Sequence, residues 1–210
     1  MKRSRIPAVI ACFGEALWDV LPRGIFLGGA PLNVAYHLSR QGIDARLVTG
    51  VGRDFLGDEV LRRLKAWRLD SHGVSRRPGR PTGVVRATLD ARGIARYEIA
   101  PRSAWDTIAA PTAWLRRLEP TALVFGTLAL RRRANREALS RITAAWPGTI
   151  RVLDLNLRPP FDRPSVISWA LRQAQMLKLN DAELAHLSGR KTLRPASLER
   201  ATRQLAHREG

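Results

Sequence analysis

The chain has 210 residues, of which 45% are hydrophobic and 26% are charged, and these values are typical of a globular protein rather than a disordered or fibrous one. Its longest apolar runs are well short of the ~20 residues that a membrane helix needs, and no small-residue cleavage site of a signal peptide follows its first apolar stretch. Its single cysteine excludes an intrachain disulfide. We therefore expect a cytoplasmic protein that makes no contact with membranes.

The net charge of +18 would ordinarily indicate a nucleic-acid partner. Only four of the 36 basic residues are lysine, however, and the arginines are spread through every segment, a pattern typical of codon bias in a GC-rich genome. The sequence offers neither a stacking platform nor a recognition helix. We predict no specific nucleic-acid partner, interpret the arginines at 131–133 as a solvated helix start, and keep a basic nucleic-acid binder as an alternative.

Strand and helix patterns alternate along the chain. Strands are predicted within residues 7–20, 45–52, 121–126 and 150–157, and helices over 32–40, 55–67, 135–146 and 165–175. A period-two hairpin at 82–100, with DARG at its turn, interrupts this order. The alternation predicts an α/β fold with a mostly parallel sheet and helices on both faces, from which the hairpin projects as a flap.

Ligands of such sheets bind outside the carboxyl ends of the strands, where two segments carry informative residues. Asp19 in GEALWDVLP offers a carboxylate that accepts hydrogen bonds from several hydroxyls, although a solvent-facing turn acid is equally compatible. In LGGAPLN, Gly28 and Gly29 permit close approach to the backbone and Asn33 adds an amide, although a tight turn is the simpler alternative. Asp58 in GRDFLGDE stands where a Walker A loop has lysine, which excludes that loop.

Two later segments also carry candidate ligand-binding residues. In VLDLNLRPP, period-two geometry places Asp154, Asn156 and Arg158 on one face, and the planar guanidinium of Arg158 suits an anion, although a one-sided edge strand would also explain the pattern. In KLNDAELAHLSG, Asn180 and Glu183 have the spacing of a capping box at a helix start. The functional alternative is that both face nucleotide phosphates through magnesium and water.

The order of these segments resembles the PfkB (ribokinase-like) carbohydrate kinases, and within them the fructokinase-like branch. The resemblance runs from Val9 to about Gly189 and rests on seven segments in order: GEALWDVLP, LGGAPLNVAYHLSRQG, GVGRDFLGDE, TGVV…LDARGIARYEI, SAWD, DLNLRPP and KLNDAELAHLSG. It implies one ribokinase-like three-layer α/β/α domain over residues 1–210, with a small β lid formed by segments at about 14–30 and 81–104.

The resemblance also implies an ATP-dependent transfer of the γ-phosphoryl group to a sugar hydroxyl, with Mg²⁺. The sugar-binding positions are Asp19, Gly28, Gly29 and Asn33; Arg158 lies near the transferred phosphoryl group. Asn180 and Glu183 lie in the magnesium and nucleotide region, where Glu183 acts on the metal indirectly, through water. Lid strands of this family often pair between subunits, so a homodimer through the lid is expected.

The chain departs from the family pattern at its C-terminal end. The family's D-T-x-G-A-G-D motif, which carries the anion hole and the catalytic base, does not occur before Gly210. Instead LRPASLERATRQLAHREG predicts one more helix with Ser197 as its N-cap. The four histidines are isolated, so none substitutes as base. We expect a C-terminally incomplete kinase whose base lies beyond Gly210 and which is inactive alone.

The substrate is predicted to be a neutral ketose. The main alternative is a 2-keto-3-deoxygluconate kinase, a branch that carries a Tyr-Arg pair on the lid, where this chain has Ile99, Ala100 and Pro101. A sugar-binding pseudokinase without catalytic activity is the other alternative.

Overall fold

The structure is a computed structural model that describes residues 8–89, 95–109, 111–192 and 194–209. The strands of this part of the chain are β1 (Val9–Phe13), β2 (Leu17–Leu21), β3 (Gly24–Gly28), β4 (Asp44–Gly52), β5 (Val74–Arg77), β6 (Gly83–Leu89), β7 (Ala95–Ile99), β8 (Ala122–Gly126), β9 (Ile150–Asp154) and β10 (Met176–Lys178). The helices are α1 (Ala30–Arg40), α2 (Phe55–Ala66), α3 (Thr112–Leu115), α4 (Arg133–Ala145), α5 (Pro164–Gln173), α6 (Asp181–Leu187) and α7 (Pro195–Glu209).

Six strands form one parallel sheet, the main sheet, in the order β10-β9-β8-β1-β4-β5. Parallel strands need crossovers, and helices α1, α2, α4 and α5 supply them. The predicted parallel α/β arrangement is therefore present. In the described part of the chain β10 is an edge strand, because it pairs only with β9.

The two faces of the main sheet bury separate hydrophobic clusters. Alternation along β1 sends Phe13 into one cluster, with Phe125 and Leu153, and Cys12 into the other, with Leu47 and Leu64. All of these side chains are fully buried. The main sheet thus packs against helices on both faces, which gives the predicted three layers.

The remaining strands form a second sheet in the order β3-β2-β6-β7, here called the small sheet. The segment predicted as an isolated hairpin supplies only β6 and β7, and β2 joins it by pairing in parallel with β6. The predicted DARG turn lies outside the described residues. Because β2 alternates, Leu17, Asp19 and Leu21 share one face, while Trp18 on the other face is buried and donates its indole N–H to the Leu56 carbonyl at 3.1 Å.

Three local predictions were wrong. The strand predicted across residues 7–20 is broken at Gly14, which has φ +148° and packs against the ring of Pro31. Strand β9 ends at Asp154, because Asn156 adopts φ +42° and cannot continue the alternation predicted through Arg158. Helix α7 begins at Pro195, so Ser197 lies inside the helix and is not its N-cap.

The interpretation of residues 131–133 as a solvated run was wrong for Arg131. Its side chain is only 4% exposed and makes two hydrogen bonds to Asp106, with Nε to Oδ1 at 2.7 Å and Nη2 to Oδ2 at 2.9 Å. Nη2 also donates to the Ala100 carbonyl at 3.1 Å, directly after β7, and the guanidinium stacks on Trp105 and Phe161. Arg131 therefore fastens the base of the small sheet to the main sheet.

Candidate functional site

A cavity of about 600 Å³ lies between the small sheet and the carboxyl ends of the main-sheet strands. The small sheet contributes the face of β2 that carries Asp19, and the main sheet contributes the segments after β1, β8 and β9. The charged and amide residues that line the cavity are Glu15, Asp19, Asn33, Asn156 and Arg158, and Tyr97 adds a phenol. Residues from four distant parts of the sequence thus meet at the edge where open α/β sheets bind ligands.

Asp19 projects from β2 into the cavity and is half-buried. Burial raises the pKa of its carboxyl above the ordinary value, and the positive charge of Arg158 partly opposes that rise. A side chain at Gly28 would place its Cβ 2.5 Å from Asp19 Oδ2. Gly28 therefore makes room for the Asp19 carboxylate, a role that the sequence pattern did not indicate.

Gly29 turns the chain from β3 into α1. Its φ is +112°, and a Cβ at this position would collide with the backbone carbonyl of Glu15. Helix α1 then begins with Pro31 in its first turn and places the exposed Asn33 at the cavity. The glycine pair thus positions two polar residues of the cavity, one on each side of it.

Glu15 was not predicted as a site residue, yet it lines the cavity and is only 2% exposed. Its Oε1 accepts a hydrogen bond from the Ala30 N–H at 3.2 Å. Burial raises the pKa of this carboxyl to about 7, against the smaller lowering effects of two backbone hydrogen bonds and the Arg158 charge. An acid placed two residues after a buried strand and four before Asp19 was the available signal, but sequence spacing does not distinguish a buried carboxyl from a solvent-facing one.

Asn156 and Arg158 enter the cavity from the segment after β9. Arg158 is exposed, and its Nη1 donates to the Leu157 carbonyl at 2.9 Å. Asp154, predicted on the same face, instead pairs with Lys178 of β10 at 2.9 Å. The structure therefore brings Arg158 together with Asp19 and Asn33 but places the Asp154 side chain in a different contact.

Asn180 and Glu183 do not line this cavity. They form a reciprocal capping box at the start of α6, in which each side chain accepts the backbone N–H of the other at 2.9 Å. The second carboxylate oxygen of Glu183 accepts the Leu157 N–H at 2.9 Å, so this residue braces the segment that carries Arg158.

Direct magnesium coordination by Glu183 does not fit this arrangement, because both of its oxygens accept backbone N–H groups and the residue is 6% exposed. An indirect contact through water stays a prediction. Among residues 8–89, 95–109, 111–192 and 194–209, no group of three or more histidine, cysteine or acidic side chains has the arrangement of a metal site.

The model of the pfkB family carbohydrate kinases matches residues 22–209. The chain belongs to this family. A fructokinase from Rhizobium leguminosarum bv. trifolii is 32% identical over an alignment of 201 residues that covers 84% of this chain and 58% of the fructokinase. The chain thus spans less than two thirds of the length of that relative.

Solved structures of this family have the same fold. A fructokinase with bound ATP from Xylella fastidiosa superposes with a TM-score of 0.76 at 26% identity, over 88% of this chain and 61% of that one. A sugar kinase from Pyrococcus horikoshii gives a TM-score of 0.77 at 22% identity, over 87% and 66% of the two chains. The predicted ribokinase-like fold is confirmed. No helix within the described segments has the length and apolarity to cross a bilayer.

Proposed function

We propose that this pfkB-family protein is an ATP-dependent, fructokinase-like sugar kinase and that the cavity between its two sheets binds the sugar. The observation that carries the proposal is the meeting of Asp19, Asn33 and Arg158 around one cavity of about 600 Å³. A carboxylate and an amide suit adjacent hydroxyls, and a guanidinium suits a phosphoryl group. The family match and the fructokinase relative support the same assignment.

The roles of the polar residues follow from their chemistry. Asp19 accepts hydrogen bonds from sugar hydroxyls, Asn33 donates and accepts at a neighbouring one, and Arg158 at the cavity mouth holds the negative charge of the phosphoryl group. ATP, when bound, supplies that phosphoryl group and magnesium offsets its charge. Gly28 and Gly29 act by shaping the site, since their missing side chains leave space for Asp19 and for the Glu15 backbone.

The small sheet is proposed to act as the lid over the sugar. Its Leu17, Val85 and Ile99 are buried apolar residues that line the cavity opposite the main sheet, and they exclude water from the reacting groups when the lid is closed. In the described part of the cavity these lid positions carry no cation, which favours a neutral ketose over a sugar acid such as 2-keto-3-deoxygluconate.

Catalysis by these 210 residues alone is not expected. Phosphoryl transfer depends on positioned charge, and loss of a single oxyanion donor costs ~100- to 1,000-fold in rate. The anion hole and base of the family motif have no counterpart among residues 1–210. Assays with ATP, magnesium and a panel of ketoses and aldoses should show no turnover; mixing with the C-terminal part of a related kinase tests whether activity is restored. Turnover by the unmixed chain would contradict this proposal.

Sugar binding itself is tested by calorimetric titration of fructose into the wild-type chain and Asp19→Ala. We expect binding to the wild type and none to the variant, with unchanged circular dichroism, because Asp19 is a cavity residue and not part of either core. Duplex DNA titrated at two salt concentrations is the control for the basic-binder alternative, since only that interaction weakens steeply with salt. Equal fructose binding by both proteins would contradict the assignment of Asp19.

A homodimer through the small sheet is a further part of the proposal. Ile25, Phe26 and Tyr97 are large apolar or aromatic residues of this sheet that remain exposed. Burial of such residues between subunits is favourable. Sedimentation should show that the wild type is a dimer and that Ile25→Lys is a monomer. A monomeric wild type would contradict the proposed dimer.

A further inference from the structure

Glu15 occupies the connection between the two sheets. It lies between β1 of the main sheet and β2 of the small sheet, and it lines the cavity although only 2% of its surface is exposed. A buried carboxyl group is rare unless its oxygens have partners. Its two oxygens have different environments.

The Oε1 atom has a structural partner. It accepts the N–H of Ala30, the first residue of α1, at 3.2 Å. This bond satisfies one of the free N–H groups at the helix start and fixes the helix that carries Asn33. Capping of α1 accounts fully for this oxygen.

The Oε2 atom has no such explanation. It is buried and accepts no hydrogen bond from another described residue; the second backbone group that lowers the pKa of the carboxyl is the N–H of Glu15 itself. The other residues with polar side-chain groups around the same cavity are Asp19, Asn33, Tyr97, Asn156 and Arg158. A buried acceptor without a partner beside a polar cavity indicates a ligand group that completes it.

We propose that Glu15 Oε2 accepts a hydrogen bond from a sugar hydroxyl, so that Glu15 is a second carboxylate of the sugar site beside Asp19. This inference rests on the proposed function of the cavity. It adds a specificity-determining residue, because a sugar that lacks the matching hydroxyl leaves Oε2 without a partner.

The ionisation of Glu15 gives the proposal a pH signature. Burial raises its pKa to about 7, Arg158 favours the ionised form and Asp154 disfavours it, while Asp19 is the other acid at the cavity. The proposed contact has Oε2 accepting the hydroxyl hydrogen, which the ionised carboxyl does best while Oε1 keeps its bond to Ala30; the protonated form would instead present an O–H donor at Oε2. A group with this pKa is ionised about 10% of the time at pH 6 and about 90% at pH 8, so affinity should rise roughly ninefold across that interval.

The test is calorimetric titration of fructose into the full 210-residue chain at pH 6, 7 and 8, for the wild type, Glu15→Gln and Glu137→Gln. Glutamine keeps an oxygen for the Ala30 N–H but removes the charge, so we expect at least tenfold weaker binding at pH 8 and loss of the pH dependence. Glu137 lies on the exposed face of α4, paired with Arg133, and its variant should behave as the wild type.

The possible results distinguish the role of Glu15 from the proposed function of the cavity. Wild-type binding together with an unchanged affinity and pH profile in Glu15→Gln would overturn the role of Glu15 and leave the proposed function standing. Absence of binding by the wild type to every ketose and aldose tested would overturn both. If Glu15→Gln does not fold, the carboxyl carbon of Glu15 is followed by NMR in ¹³C-glutamate-labelled wild type: fructose should lower its apparent pKa, and an unchanged pKa would overturn the inference.

Discussion

Replacement of Arg131 by alanine tests how the small sheet is fastened to the main sheet. The side chains of Arg131 and Asp106 are 4% and 1% exposed, so the pair is buried from solvent. Without Arg131, the Asp106 carboxylate keeps the Ser103 N–H at 3.1 Å and the more distant Arg132 Nε at 3.7 Å. It loses two charged hydrogen bonds, and the Ala100 carbonyl loses its guanidinium donor.

Removal of one partner from a buried ion pair typically costs about 3–5 kcal/mol, since the remaining charge stays desolvated. Arg132 offsets part of that cost, so we expect Arg131→Ala to lose about 3 kcal/mol of unfolding free energy, or roughly 6–12 °C in Tm for a chain of this size. The matched control is Arg133→Ala two positions away. Its side chain is 86% exposed and pairs with Glu137, so its loss should cost at most about 0.5 kcal/mol.

Urea denaturation followed by circular dichroism at pH 7 measures both variants against the wild type. A difference of less than about 1 kcal/mol between Arg131→Ala and Arg133→Ala would refute the reasoning, because it would mean that the buried pair does not hold this part of the structure. Loss of fructose binding by Arg131→Ala under folded conditions would further indicate that the fastening positions the small sheet over the cavity.

Three other predictions concern the cavity itself. The folded-state pKa of Glu15 is raised from 4.5 to about 7, so the folded chain binds more protons than the unfolded chain between these pH values. In thermal melts, the unfolding free energy of the wild type should therefore fall by about 3 kcal/mol relative to that of Glu15→Gln as the pH rises from 4.5 to 7. Parallel curves of unfolding free energy against pH for the two proteins would contradict this. Gly29→Ala should lower the unfolding free energy measured in urea by at least about 2 kcal/mol, because the new Cβ collides with the Glu15 carbonyl and the φ is unfavourable for alanine. The control is Gly42→Ala, which has φ +79° and no neighbouring atom within 4 Å, so it should cost only the backbone strain of about 1 kcal/mol. Equal costs would show that the structure relaxes to remove the collision. Arg158→Lys should weaken ATP binding at least several-fold in calorimetry, since an ammonium cannot form the bidentate contact, and unchanged affinity would remove Arg158 from the phosphate site.

The alternating pattern of the sequence predicted a mostly parallel main sheet and four of its six strands, but not β5 or β10. Apolar runs such as those in β4 and β8 and the amphipathic helices between strands specify buried parallel strands locally. The order of the strands in the sheet was not predicted, because it depends on pairing between distant segments. The small sheet was predicted only in part, because the pairing of β2 with β6 joins segments about 65 residues apart and no local period records it. Arg131 shows the same limit: three consecutive arginines look alike in sequence, and only the position of Asp106 makes one of them buried.

Some residues of the candidate site were predicted from the sequence, and others were revealed only by the structure. Asp19, Asn33 and Arg158 were predicted from the sequence, and the structure brings all three to one cavity. Asp19 was expected at the end of a strand but lies in the middle of β2, Asn33 lies in the first turn of α1, and Arg158 lies in the segment after β9. Glu15 was missed because burial is a tertiary property. Gly28 was interpreted as space for a ligand, whereas in the structure that space holds the Asp19 carboxylate, which only the register of β2 with β3 reveals.

A crystal structure of the chain with fructose at saturating concentration tests the central claim most directly. We predict a sugar in the cavity between the two sheets, with hydroxyl oxygens within about 3.2 Å of the Asp19 carboxylate and the Asn33 amide. An empty cavity, or fructose bound elsewhere on the chain, would contradict the account.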